Sequence, residues 1–75
     1  MKEKIKEIMA RVFEIPIDKV GDDASLETIE EWDSLHHLYL VLALEEEFGV
    51  SLTDDEIVEL LSLDLILLSL KGKRN

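Results

Sequence analysis

Apolar residues recur at the spacing of an α-helix along most of the chain, and this periodicity is the feature that most constrains the fold. The N-terminal segment shows it most clearly, with apolar positions that would line one face of a helix. They are Ile5, Ile8, Met9, Val12 and Phe13. Pro16 ends this helix, because proline disfavours helical geometry in the residue before it. No segment alternates convincingly between apolar and polar residues as a strand would, so the periodicity predicts an all-α protein.

Three more helices are predicted from the remaining segments. A second long helix spans residues 34–48 and ends before Gly49, a residue type that often follows a helix. A short third helix comes next, since Thr53 and Glu56 have the spacing of a capping box. Its apolar side consists of Ile57, Leu60 and Leu61. Together with a last helix, these segments predict a four-helix bundle of three longer helices and one short helix.

The last helix is predicted over residues 63–70, with Ser62 as its cap and Gly72 beyond its end. Its core-facing residues are expected to be Leu63, Ile66, Leu67 and Leu70. Leu68 should then face solvent, on a helix that is apolar nearly all round. We expect a monomer in which this surface provides a contact for a partner or for a weak dimer.

A long connection, residues 15–33, joins the first two helices. Connections of this length are unusual in compact domains and are often functional. Six apolar residues should anchor it to the core, namely Ile15, Ile17, Val20, Leu26, Ile29 and Trp32. The pattern also allows a helical turn over residues 26–29.

Length and composition restrict the protein class. The 75 residues suit a single domain, residues 1–75, near the lower limit for a chain that folds around its own core. The sequence has no cysteine, so any thiol chemistry has to arrive on a cofactor. Its longest apolar run, residues 38–44, is far shorter than the roughly 20 residues that span a bilayer. No apolar signal segment follows the N-terminal lysines, so the expected location is the cytoplasm, without membrane insertion.

The charge is distributed very unevenly along the chain. The net charge is −10, and residues 20–70 carry fourteen acidic side chains and no basic one. Such a surface repels nucleic acid and anionic lipid, so nucleic-acid binding is excluded. The acids either serve solubility alone or steer the protein towards basic patches on partner proteins.

Ser34, at the start of the second helix, is the candidate functional residue. A serine in this position is commonly a helix cap. A hydrolase nucleophile is a second interpretation, since His37 lies one helical turn away. However, the Gly-x-Ser-x-Gly motif is absent and so small a bundle cannot easily enclose a substrate. We therefore predict no catalytic residue, and we expect His37 to pack near the core.

No metal site is predicted. His36 and His37 are adjacent on a helix and point about 100° apart, so they cannot share an ion. The acidic clusters at residues 22–23 and 54–56 lack the alternating spacing and central glycine of a calcium loop. We expect them to form a solvated loop and a helix N-terminus, respectively.

The second helix carries two apolar stripes on different sides. One stripe consists of Leu40, Val41, Leu44 and Phe48. The other consists of Leu35, Leu38 and Leu42. A surface helix needs only one stripe to reach the core, so the second is either covered by the short third helix or exposed, fully or in part, for a partner. Partial cover would still leave Leu35 and Leu38 available. In the exposed case, Asp33, Glu45 and Glu46 would form its polar rim.

The second helix resembles the modified helix of acyl carrier proteins, because it opens with Asp33-Ser34-Leu35 and closes with Glu45-Glu46-Glu47-Phe48-Gly49. This resemblance implies that Ser34 carries a 4′-phosphopantetheine arm, transferred from coenzyme A by a phosphopantetheinyl transferase, with Asp33 supporting the transfer. It implies a carrier rather than an enzyme, with an acyl or aminoacyl group held as a thioester and part of an acyl chain sheltered between the helices. Its partners would be loading and downstream transferase enzymes with basic docking patches. The residues that dock these partners would be Leu35, Leu38, Leu42, Glu45 and Glu46.

Three positions differ from carriers of fatty acid biosynthesis. Those proteins usually have a small residue before the Asp-Ser pair, where this chain has Trp32, and acids where it has His36 and Tyr39. These three residues therefore alter the predicted docking surface. The tryptophan is similar to that of stand-alone carriers in specialised pathways, such as polyketide, nonribosomal-peptide, lipid or polysaccharide modification, and we expect a role of that kind.

Two functions from other classes remain as alternatives. A cofactor-free acidic adaptor would bind partners through Leu35, Leu38 and Leu42, and its binding would not depend on Ser34. A small hydrolase would turn over esters without any cofactor.

Overall fold

The computed structural model describes residues 1–73, and this part of the chain is helical. α1 spans Lys2–Phe13, α2 Ser34–Phe48, α3 Asp54–Glu59 and α4 Leu63–Lys73. A short 3₁₀ helix, Ile17–Lys19, lies between α1 and α2. The prediction of an all-α bundle with three longer helices and one short helix is therefore confirmed. Within residues 1–73, no helix combines the length and the apolar character needed to cross a membrane.

α1 forms where its apolar stripe predicted it. Four of the five predicted residues are buried and Val12 is half-buried. The helix ends at Phe13 because Glu14 adopts the left-handed conformation, with φ 57° and ψ 46°, and donates its N–H to the carbonyl of Ala10. Pro16 follows with extended backbone and prevents the helix from resuming.

The core lies between α1, α2 and α4, with α1 packed against both of the others. α2 contributes Leu40, Val41 and Leu44, as predicted, and Phe48 is half-buried beside them. α4 contributes Leu63, Ile66 and Leu70, with Leu67 half-buried. Removal of this apolar surface from water is the main favourable term in the folding of so small a chain.

The long connection packs against the core, but through partly different residues from those predicted. Val20, Ile29 and Trp32 are buried, and Ile15 is half-buried. The prediction is wrong for Ile17 and Leu26, which are exposed, whereas Ala24 is buried and was not predicted. Ile17 is exposed because it lies in the 3₁₀ helix, whose three residues all face solvent.

Backbone hydrogen bonds confirm the predicted helical turn near residues 26–29 and also tie the connection to the rest of the chain. The N–H of Leu26 donates to the carbonyl of Leu61, and the N–H of Leu63 donates to the carbonyl of Ala24. These bonds flank an isolated antiparallel bridge between Ser25 and Ser62. The carbonyl of Ser25 accepts the N–H groups of Thr28 and Ile29, which closes the predicted turn. The connection is thus fastened to the junction between α3 and α4.

α3 begins with the capping box that the sequence predicted. The N–H of Thr53 donates to Oε1 of Glu56 at 2.8 Å, and the N–H of Glu56 donates to Oγ1 of Thr53 at 3.2 Å. On the predicted apolar side, Leu60 is buried and Ile57 is half-buried. The prediction is wrong for Leu61, whose side chain is exposed beyond the end of the helix.

α4 is longer than predicted. Oγ of Ser62 accepts from the N–H of Leu65 and caps the helix as expected. However, Gly72 lies inside the helix, which continues to Lys73. A reason for the extra turn is the ion pair between Nζ of Lys73 and Oε1 of Glu56, at 2.8 Å, which holds the end of α4 against α3. Leu68 is 69% exposed, so its predicted solvent-facing position is confirmed.

Candidate functional site

Asp33, not Ser34, caps the N-terminus of α2. Its backbone is extended, with φ −106°, and its Oδ1 accepts the N–H of His36 at 2.8 Å. Ser34 is the first residue of the helix proper and is exposed. The interpretation of Ser34 as the cap is therefore wrong, because the neighbouring carboxylate already satisfies that N–H group. The Ser34 hydroxyl is therefore not needed to cap the helix.

The carboxylate of Asp33 is held in its charged form beside Ser34. Its pKa lies below the ordinary value, first because it accepts the backbone N–H of His36 and second because it accepts a hydrogen bond from the His36 side chain. The Nδ1 atom of His36 lies 2.7 Å from Oδ1 of Asp33. Both bonds favour the ionised carboxylate. Its role in supporting transfer of the arm stays a prediction.

The side chains of Trp32 and His37 form a hydrogen-bonded connection from the loop through α2 to α3. Nε1 of Trp32 donates to Nδ1 of His37 at 2.9 Å. An indole N–H can only donate, so Nδ1 is the acceptor and the His37 proton is on Nε2. Nε2 therefore donates to the carbonyl of Ile57, 2.8 Å away. We call this connection, from Trp32 through His37 to the Ile57 carbonyl, the ring bridge.

The ring bridge confirms His37 as a packing residue. Its imidazole is half-buried and lies 6.0 Å from the Trp32 ring, centroid to centroid, with an angle of 22° between the planes. Both ring nitrogens have partners, so neither is available to deprotonate the Ser34 hydroxyl. This removes the base that a serine hydrolase would need.

The indole of Trp32 is part of the core. It is 3% exposed, and its ring centroid lies 5.2 Å from that of Phe13 at the end of α1. The prediction that Trp32 alters the docking surface is therefore wrong, because the aromatic contact and the bond to His37 turn it inward. His36 is half-buried and Tyr39 is exposed, so these two residues do lie at the surface of α2.

An open groove of about 490 Å³ begins at Ser34. Its seven lining residues come from the connection, the start of α2, the end of α3 and the segment after α3: Leu26, Trp32, Asp33, Ser34, His37, Val58 and Leu61. We call it the Ser34 groove. Its apolar walls, Leu26, Val58 and Leu61, were not predicted as site residues, and no local signal marks them, because they meet only in the folded chain.

The second apolar stripe of α2 is exposed. Leu35, Leu38 and Leu42 are 53%, 54% and 61% exposed, respectively. The short helix α3 therefore does not cover them, which decides between the two interpretations of this stripe. We call these three residues the leucine face. Together with Tyr39, which is also exposed, the leucine face extends from Ser34 along α2.

The two predicted rim acids are in different situations. Glu46 is exposed. Glu45 is half-buried, and its Oε2 accepts the N–H of Leu52 at 2.8 Å. Because this bond holds the segment between α2 and α3, the Glu45 carboxylate is directed to a structural contact. Over residues 1–73, no group of three or more His, Cys, Asp or Glu side chains is arranged to hold a metal ion.

Comparisons with known proteins identify the family of the chain. The family model for a phosphopantetheine attachment site matches residues 3–67. The chain is 43% identical to an acyl carrier protein of Thermosynechococcus vestitus, over 72% of this chain and 67% of the relative. It is 36% identical to polyketide-8 synthase acyl carrier protein 2 of Streptomyces avermitilis, over 83% of this chain and 71% of the relative.

An acyl carrier protein of Petrotoga mobilis is similar over more of the chain. It is 34% identical over 97% of this chain and 86% of the relative. The family model covers most of the chain, and all three relatives are named as acyl carrier proteins. The chain therefore belongs to the acyl carrier protein family, whose cofactor is a covalently attached 4′-phosphopantetheine.

Proposed function

We propose that Ser34 is the attachment point of 4′-phosphopantetheine and that the chain carries acyl or aminoacyl groups on this arm. The observation that carries the proposal is the exposure of Ser34 as the first residue of α2, with Asp33 supplying the helix cap. The hydroxyl is thus free to be modified without loss of the cap. The sequence encodes no cysteine, and the arm supplies the thiol on which cargo is held.

The start of α2 fits the phosphate of such an arm. The first N–H groups of a helix have no carbonyl within the helix to bond, and the helix dipole favours negative charge there. The Asp33 carboxylate accepts one of these groups, the N–H of His36, and the Asp33 backbone carbonyl accepts the N–H of His37. The N–H groups of Ser34 and Leu35 precede these and lie in the same turn, nearest to the proposed attachment point.

The chain's own part is to present the arm to other proteins rather than to catalyse a reaction. Tethering gives the cargo a local concentration of order millimolar when the linker is short and flexible. The exposed leucine face supplies apolar contact area beside Ser34, and Glu46 supplies charge. Partners that fit this surface are a phosphopantetheinyl transferase and loading or downstream transferases with basic patches, acting in the cytoplasm.

A specialised pathway is the proposed setting. One relative is named as a carrier of a polyketide synthase, whereas the names of the other two state no pathway. His36 and Tyr39 occupy the surface of α2 where carriers of fatty acid biosynthesis usually have acids. Partners that recognise acids at both positions would lose those contacts here.

The cofactor-free adaptor remains a distinguishable alternative, because the leucine face is exposed in either case. An adaptor would bind its partners equally well after Ser34→Ala. A carrier would lose the arm and every step that depends on it.

The test is intact-mass analysis after incubation with coenzyme A, Mg²⁺ and a promiscuous phosphopantetheinyl transferase. We expect the protein to gain the mass of one phosphopantetheine group and Ser34→Ala to gain none. Ser51→Ala, at another exposed serine, is the matched control and should be modified like the original chain. An undiminished mass gain in Ser34→Ala, or no gain in the unaltered protein, would refute the proposal.

A further inference from the structure

We infer that this carrier holds its cargo in the open Ser34 groove and not between the helices, because the ring bridge closes the route from Ser34 into the core. This inference rests on the proposed attachment at Ser34. It adds a role for Trp32 and His37 as residues that determine which cargo the chain can carry. It also replaces the expectation that the core shelters part of an acyl chain.

The ring bridge lies beside Ser34, because its two side chains line the same groove as Ser34. Trp32 and His37 line the Ser34 groove and form its floor, while the indole is buried on its other side against Phe13. The bridge also joins α2 to α3, because His37 belongs to α2 and the Ile57 carbonyl to α3. An acyl chain that enters between these two helices has to displace the rings.

Displacing the rings carries two separate costs. The indole N–H would lose its acceptor, and a buried polar group without a hydrogen bond is costly. The Ile57 carbonyl would lose the short bond from His37 and keep only the longer one from the N–H of Leu60, at 3.4 Å. The indole would also leave its contact with Phe13. An apolar chain that enters the core would have to offset these losses before it gained anything from burial.

The Ser34 groove offers the cargo a place outside this barrier. Leu26, Val58 and Leu61 supply exposed apolar walls, and Ser34 lies at the edge of the same surface. A backbone hydrogen bond from the N–H of Leu26 to the carbonyl of Leu61, at 2.9 Å, keeps two of the walls together. The groove volume of about 490 Å³ is in the range of small-molecule sites.

The occupant is the distal part of the pantetheine arm with the first carbons of its thioester-bound group. Its attachment to Ser34 makes it continuous with the groove, so no separate ligand has to be recruited. A groove open to solvent cannot shield a long alkyl chain. The cargo class that fits is therefore a short or polar acyl or aminoacyl group, which needs no enclosed apolar cavity.

The experiment uses the full chain loaded at Ser34 from acetyl- or octanoyl-coenzyme A, with the acyl carbons labelled with ¹³C and loading verified by intact mass. We expect NMR contacts from the octanoyl carbons to Val58 and Leu61, and none to Leu40 or Ile66 in the core. The melting temperatures of the two loaded forms should differ by less than about 2 °C. Burial of the additional methylenes in the core would raise Tm by roughly 4 °C or more.

Two variants test the wall and the floor of the groove. Val58→Ser should weaken the octanoyl contacts, whereas Leu68→Ser, an equally exposed position on α4, should leave them unchanged. Trp32→Leu removes the bridge, and in this variant octanoyl contacts to Leu40 should appear and the Tm difference should widen. If Trp32→Leu does not fold, the contacts in the unaltered protein decide alone.

The outcomes separate this inference from the proposed function. Octanoyl contacts to Leu40 or Ile66 in the unaltered protein, or a Tm difference of 4 °C or more by the burial estimate above, overturn the inference while attachment at Ser34 stands. A sample that gains no mass refutes the attachment and the inference together. Contacts confined to the groove walls support the inference.

Discussion

At the start of α2, one residue stabilises the helix and the next residue is available for modification. Asp33 accepts the N–H of His36, and Ser34 is left exposed next to it. A serine in the capping position would have to give up this bond, or share it, once its oxygen was modified. The order Asp-Ser therefore allows the proposed arm to be added to Ser34 without disturbing the helix start.

The lowered pKa of Asp33 predicts a pH dependence of stability. Because the pKa is lower in the folded than in the unfolded chain, the charged carboxylate stabilises the fold above the unfolded value of about 3.9. This contribution is lost as the pH falls through the folded value. Asp33→Asn keeps a capping oxygen but no charge. We expect urea midpoints to show the original chain more stable than Asp33→Asn at pH 7.

The difference between the two proteins should shrink as the pH falls below the unfolded value and through the lower pKa of the folded Asp33 carboxylate. Glu30→Gln, an exposed acid in the connection, is the control for loss of one charge. A difference that stays constant between pH 7 and pH 2 would contradict the assigned role of the Asp33 carboxylate.

At the level of the helix, α2 has one face that stabilises the fold and another that is available to partners. Leu40, Val41 and Leu44 are buried, whereas the leucine face is exposed. The helix bounds, Ser34–Phe48, agree with the sequence-based prediction, and Gly49 follows in the left-handed conformation with φ 63°. Periodicity found both stripes. Which of them was buried depended on the packing of α2 against α1.

Leu44→Ala and Leu42→Ala form a matched pair that separates these faces. Leu44 is 0% exposed and Leu42 is 61% exposed, on the same helix and with the same change of side chain. We expect Leu44→Ala to lower the free energy of unfolding by about 2–5 kcal/mol, because it leaves a cavity in the core. Leu42→Ala should change it by less than about 0.5 kcal/mol. Chemical denaturation of both variants measures the difference, and equal losses would contradict the assignment of faces.

For the molecule as a whole, the uneven charge should govern encounters with partners. All eight basic residues lie outside residues 20–70, within the first 19 and the last five positions. The leucine face is flanked by the exposed acid Glu46. Several basic side chains are paired with acids, such as Lys6 with Asp22, which raises the pKa of the Lys6 ammonium through that hydrogen bond. The excess of acidic side chains therefore lies within residues 20–70, the segment that includes α2.

Reversing the charge of one acid tests whether the acids beside the leucine face speed the encounter with partners. We expect Glu46→Lys to slow modification by a basic phosphopantetheinyl transferase about threefold in kcat/KM at low salt, because electrostatic attraction speeds encounter. The effect should fade at about 0.5 M salt, where screening is strong. Glu3→Lys, an exposed acid on α1, changes the net charge equally and is the control. Equal slowing by both variants would show that only the net charge matters.

The sequence alone predicted the features that depend on near neighbours. The stop of α1 before Pro16, the capping box of Thr53 and Glu56, and the Ser62 cap each involve residues a few positions apart. Helical periodicity and caps are local physics, so they can be recognised in the chain before it folds. The Asp-Ser pair that opens α2 was also recognised from the sequence. The sequence did not show which of these two residues caps the helix.

Only the tertiary structure decided the features made by residues distant in sequence. Trp32 was predicted both as a core anchor and as part of the docking surface, and its contacts with Phe13 and His37 bury it. The Ser34 groove joins Leu26 to Val58 and Leu61 through the packing of the connection against α3. α4 continues past Gly72 because Lys73 reaches Glu56 on another helix. Periodicity records which residues are apolar, whereas the neighbours that bury or expose them are set only when the helices pack.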